Sequence, residues 1–123
     1  MLVEDHDDTR LIYVEFLRMT YEVSEARDGV AALQSIDERA PDVVVTDLAL
    51  PRMDGFELVS RIRAQKHTST LPVIALSGYS GHQYDERIRS AGTTLVLLKP
   101  CMPDELVDAI NGVLADHSSG QQP

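Results

Sequence analysis

Three short apolar runs punctuate the chain: Val43-Val44-Val45, Val73-Ile74-Ala75-Leu76 and Leu95-Val96-Leu97-Leu98. None alternates with polar residues, which predicts strands buried on both faces of a parallel sheet. Met1-Leu2-Val3 opens the chain as a further strand, short before Glu4 against the usual strand of about 5–6 residues. Tyr21 to Ala26 alternates more and is expected as an edge strand.

Helical spacing fills the gaps between these runs. Leu11, Val14 and Leu17 recur three apart, with Phe16 beside them. Val30, Leu33 and Ile36 form a second stripe, opened by Asp28-Gly29, and Phe56, Val59 and Ile62 a third. Tyr84, Ile88 and Ala91 make a weaker fourth, which Gly92 is expected to stop. Leu106, Ile110, Val113 and Leu114 form the last, with Pro103 in its first turn. The order βαβαβαβαβα predicts a parallel sheet with helices on both faces and right-handed crossovers. One domain over residues 1–116 is expected, and the polar, aperiodic residues 117–123 read as a frayed tail or linker start.

Composition narrows the function. Lys and Arg total 11 against 20 Asp and Glu, a formal charge of −9. That balance disfavours direct nucleic-acid binding, which needs a basic footprint, and docking on anionic membrane. It suits a domain that gathers carboxylates around a cation or meets a basic partner. Cys101 is the one cysteine, so no internal disulfide exists, and a reducing cytoplasm is expected. No apolar run approaches the roughly 18 residues of a membrane span.

The strand ends carry the polar chemistry. They are Glu4-Asp5, Asp47 within Val43-Val44-Val45-Thr46-Asp47, Ser77-Gly78 and Lys99-Pro100. Parallel sheets bind ligands outside the carboxyl ends of their strands. Each residue alone has an ordinary reading: Asp47 as a turn residue, Ser77 as a cap, Lys99 as a surface cation. Asp7 or Asp8 reads equally as a cap of the first helix. Together, two acidic tips, a hydroxyl and an ammonium form a constellation. Acids gathered at buried tips repel unless a cation joins them, and Mg²⁺ prefers such oxygen donors.

These residues resemble the receiver domains of two-component response regulators. The resemblance rests on Glu4-Asp5, on Asp47-Leu-Ala-Leu-Pro-Arg-Met-Asp54-Gly55, and on Ser77-Gly78, Ala91-Gly92 and Lys99-Pro100. It implies a doubly wound, flavodoxin-like (βα)₅ fold with strand order 2-1-3-4-5. It implies Asp47 as acceptor of a phosphoryl group from a phosphohistidine on a histidine kinase or phosphotransfer protein. Asp5, Asp47 and the Ala49 carbonyl are implied as Mg²⁺ ligands, with Glu4 acting through water. Ser77 would meet a phosphoryl oxygen and Lys99 would pair with the group's charge. A cis Lys99-Pro100 bond and a partner face of fourth helix, fifth strand and fifth helix are expected too. Such a domain catalyses only its own phosphorylation and dephosphorylation.

The chain departs from that pattern at Val96, where most receivers carry a Tyr or Phe that swings inward. Val96 reads as a packed strand residue, so switching is expected to run through loop and helix shifts. A module that no longer switches is the alternative. A Mg²⁺-dependent aspartyl-phosphate phosphatase is weaker still, because Ala49 stands where such enzymes place a second Asp. Tyr79 is expected to screen an acyl phosphate or to lie on the surface. His6, His67, His82 and His117 read as solvated, and Cys101 as a partly buried thiol.

Overall fold

A computed structural model describes residues 1–78, 86–87 and 90–120 of the chain. The strands are β1 (Leu2–Val3), β2 (Glu25–Ala26), β3 (Val44–Asp47), β4 (Val73–Ser77) and β5 (Leu95–Leu98). The helices are α1 (Asp7–Leu17), α2 (Gly29–Glu38), α3 (Gly55–Ala64) and α4 (Pro103–Gly120), with a 3₁₀ turn at Lys66–Thr68. All strand pairs are parallel, in the order β2-β1-β3-β4-β5, so the expected fold and strand order stand. Glu86, Arg87, Ser90 and Ala91 are helical. Tyr84 and Ile88, which complete the expected fourth stripe, lie outside the described residues, as do Tyr79 and His82.

Successive side chains of a strand point to opposite faces, and here both faces are covered. Val3, Val44, Val73 and Ala75 pack with Ala32 and Ile36 of α2 and Phe56, Leu58, Val59 and Ile62 of α3. Leu2, Val45, Ile74 and Leu76 pack with Tyr13, Val14 and Leu17 of α1 and Leu106, Ile110 and Val113 of α4. Asp28 caps α2 by accepting from the Ala31 N–H at 2.8 Å, and Asp54 caps α3 by accepting from Glu57 at 2.9 Å. Each satisfies an N–H that the helix itself leaves without a partner.

Several expectations are corrected. β5 is not buried on both faces: Leu98 is 62% exposed, and Leu95 is also open. The strand order makes β5 an edge, and its apolar run reads the same whether or not a helix covers it. Val43 precedes β3, and the second strand shortens to Glu25–Ala26. The buried stripe of α1 is Tyr13, Val14 and Leu17, while Leu11 is 56% exposed. In α2 the buried positions are Gly29, Ala32 and Ile36, with Val30 turned outward. Neither Asp7 nor Asp8 caps α1. His6 holds the cap position without a side-chain bond, and the two acids lie in the first turn, where negative charge suits the helix dipole. α4 runs on to Gly120, past residue 116.

Candidate functional site

Register brings the polar tips to one edge of the sheet. Val3 pairs with Thr46, so Glu4 follows β1 level with Asp47 at the end of β3. Asp47 pairs with Leu76, and Ser77 with Leu98, which places Ser77 and Lys99 on the same rim. The Lys99 N–H donates to the Ser77 carbonyl at 2.8 Å and holds the two tips together.

Asp47 is buried, and both its oxygens are engaged. Oδ1 accepts from the Ala49 N–H at 3.0 Å, and Oδ2 accepts from Lys99 Nζ at 2.6 Å. The same Nζ lies 3.9 Å from Oε1 of Glu4, whose side chain is almost wholly buried. Burial, the Asp47 charge and a hydrogen bond with Asp5 together hold the Glu4 carboxyl above the usual glutamate range. Burial alone pushes Lys99 down, but its bond to Asp47 and the charges of Asp47 and Glu4 outweigh this and leave it above the ordinary lysine. Asp5 stands next to Glu4, and its Oδ1 is buried without a hydrogen-bond partner. Ser77 is buried at the tip of β4.

These residues fit a hard dication. Glu4 and Asp47 share the Lys99 ammonium and Asp5 adjoins Glu4, so the pocket keeps excess negative charge. A buried carboxylate oxygen without a hydrogen bond costs free energy unless a ligand takes its lone pairs. Ligand atoms of Glu4, Asp5 and His6 all lie within 4.8 Å of one another.

The backbone around Asp47 is shaped by its neighbours. The Gly55 N–H donates to the Leu48 carbonyl at 3.0 Å, and α3 starts directly against the acceptor strand. Gly55 is thus required for close approach. Arg52 takes a positive φ of 66° in the intervening loop, and the Lys99-Pro100 bond is cis, as expected.

Two supporting contacts are absent from the sequence reading. The Tyr13 hydroxyl, buried under α1, donates to the Cys101 carbonyl at 2.6 Å and anchors the turn that follows Lys99. Arg10 Nη1 donates to the Glu4 carbonyl at 2.9 Å, while its Nε and Nη2 hold Glu25 and Asp7. Both bonds end on main-chain oxygens, which leave no mark in residue identity. His6, read as solvated, is exposed yet sits 3.3 Å from Asp5 Oδ1. His67 is exposed, 3.7 Å from Asp37. Cys101 is a buried thiol. Val96 packs against the α2–α3 face of the core, as a strand residue would.

The family model described as response regulator receiver domain matches residues 1–111. The sensor protein EvgS of Escherichia coli K12 is 36% identical over 107 residues, covering 86% of this chain but only 9% of that protein. Among solved structures, the chemotaxis response regulator CheY4 of Vibrio cholerae superposes with a TM-score of 0.85 at 29% identity, covering 91% of this chain and 94% of that one. The receiver domain of a Pseudomonas aeruginosa PAO1 sensor histidine kinase has a TM-score of 0.85 at 30% identity, with 93% and 94% covered. It is described with a magnesium ion coordinated in its active site cleft.

Proposed function

The chain belongs to the response regulator receiver domain family, and from that premise we propose that it is a phospho-acceptor of two-component signalling, with Asp47 taking the phosphoryl group. One observation carries the reading: Lys99 Nζ stands 2.6 Å from Asp47 Oδ2 and faces buried Glu4 on its other side. The incoming group is anionic and approaches an anionic acceptor, so a fixed cation at that oxygen is what the chemistry needs. The donor is a phosphohistidine of a histidine kinase or phosphotransfer protein. Its P–N bond breaks, a P–O bond to Asp47 forms, and the imidazole leaves with the electron pair of the broken bond.

Glu4, Asp5, Asp47 and the Ala49 carbonyl are the residues that would hold Mg²⁺, which when bound supplies positive charge against the phosphoryl oxygens. Ser77, at the next strand tip, is assigned a hydrogen bond to one of those oxygens. The domain is a signalling module rather than a turnover enzyme. Ala49 offers a methyl where an aspartyl phosphatase needs an acid.

The switch is assigned to loop and helix positions. Val96 has no ring to swing. Arg87 lies over the Phe56 ring at 4.0 Å and reaches Asp54 Oδ2 at 3.4 Å. Asp54 caps α3 at the end of the acceptor loop, so loop movement is felt at the helical segment of Arg87. The face of that segment, β5 and α4 is assigned to a partner or output domain, and exposed Leu95 and Leu98 support this. The cytoplasm is the compartment we assign, where Cys101 stays a thiol. Among the described residues no helix is long and apolar enough to cross a membrane.

The test is intact mass after incubation with acetyl phosphate and Mg²⁺. Wild type should gain one phosphoryl group, and Asp47→Ala or wild type in EDTA none. A gain that persists in Asp47→Ala, or sustained turnover of small phosphate esters, overturns the assignment.

A further inference from the structure

His6 follows the two acids of the first strand tip in extended backbone, with φ −79° and ψ 116°, and its N–H reaches back to Glu4 Oε2 at 3.5 Å. The imidazole is 74% exposed, so core packing does not explain its place. Its Nδ1 lies 3.3 Å from Asp5 Oδ1 and 3.8 Å from Glu4 Oε2. Asp5 Oδ1 has no hydrogen bond despite that approach. A close N···O contact without hydrogen-bond geometry is the arrangement of two donors flanking one cation. Neighbouring ligands on an octahedral ion, each about 2.1 Å from it, stand roughly 3.0 Å apart. The His6–Asp5 spacing is close to that edge, and the longer spacing to Glu4 suits contact through water.

We propose that His6 is a donor to the divalent cation of this site, and that the nitrogen it adds turns the preference of the site from Mg²⁺ toward later first-row ions such as Co²⁺. Carboxylate, carbonyl and water suit Mg²⁺, whereas imidazole suits the later transition metals, whose affinities rise along the first row. This rests on reading Glu4, Asp5 and Asp47 as the cation site. It adds selectivity to that site and leaves the acceptor chemistry with Asp47.

Calorimetric titration of wild type and His6→Ala with Mg²⁺ alone and with Co²⁺ alone tests it. His6→Ala should weaken Co²⁺ by about tenfold or more and Mg²⁺ by less than about twofold. The visible d–d absorption of bound Co²⁺ should shift in intensity and position on loss of the nitrogen. Asp5→Asn should abolish the part of Co²⁺ binding that depends on His6, which separates it from binding at other histidines. Equal losses for both ions, or an unchanged Co²⁺ affinity and spectrum, would reduce His6 to an ion-pair partner of the acids and overturn the proposal while the cation site stands. Wild type that binds neither ion overturns both.

Discussion

Gly55 lies against the main chain of Asp47: a methyl group on its α-carbon would stand 2.5 Å from the Asp47 carbonyl oxygen and equally close to the α-carbon of Leu48. Both neighbours are backbone, so neither yields as a side chain does. Gly55→Ala should therefore destabilise the protein by about 3 kcal/mol, the upper part of the range for overpacked sites. Because the displaced atoms belong to the acceptor strand, phosphorylation of Asp47 should slow as well. Urea unfolding and the rate of phosphoryl gain measure the two effects. A variant of wild-type stability would mean that α3 is free to move away from Asp47.

Tyr13 and Cys101 tie the first helix to the turn beyond Lys99. Tyr13→Phe keeps the ring in the core but leaves the buried Cys101 carbonyl without its 2.6 Å partner. Such an orphaned acceptor costs about 1–3 kcal/mol. A lowered urea midpoint with unchanged slope is expected. The Lys99 ammonium loses its anchor two residues away, so phosphotransfer should fall severalfold while Mg²⁺ affinity holds. Loss of both together would place the effect elsewhere than at Lys99.

How far the sequence carries depends on the kind of contact. Strand tips were legible because polar residues stood at the ends of apolar runs, and parallel topology sends all such ends to one edge. Glu4, Asp47, Ser77 and Lys99 come together for that reason. The exposure of β5 was not legible, because Leu95–Leu98 has the same composition as a buried strand and only its place at the sheet edge uncovers it. The buried stripe of α1 departs from the leucine spacing because Tyr13 turns its ring into the core and Leu11 faces out. A tyrosine is apolar over most of its surface, and its hydroxyl finds a carbonyl that no pattern announces. The same holds for Arg10 on the Glu4 main chain.

Glu4 makes stability depend on pH. Burial first, then the Asp47 charge, disfavours its anion and raises its folded-state pKa above the ordinary 4.5. A group raised on folding contributes stability that is fully present below its unfolded value and is lost as pH climbs through the folded value. In EDTA, wild type should lose stability across that window, and Glu4→Gln, which carries no charge, should lose less. Glu4→Gln should thus be the more stable protein at neutral pH, with the gap closing below pH 4.5. Melting temperature against pH for the two proteins decides it. A gap that widens on acidification would contradict the buried-anion account.

Cation addition reverses the sign of that repulsion. Glu4 and Asp47 share the Lys99 ammonium, and beside Glu4 the Asp5 Oδ1 is buried without a hydrogen bond. A dication binds the folded chain and not the unfolded one, so it stabilises by mass action. The gain is about 2.7 kcal/mol when free Mg²⁺ is roughly a hundred times Kd, a rise of roughly 10 °C for a chain of this size. Asp5→Asn removes one negative charge and one anionic donor. In EDTA it should melt at or above the wild-type temperature, because less repulsion remains. With Mg²⁺ it should melt well below wild type, because the donor is gone. A folding defect lowers both curves, so only a change of sign between the two conditions reports a cation held by Asp5. Parallel curves with and without Mg²⁺ would remove Asp5 from the ligand set.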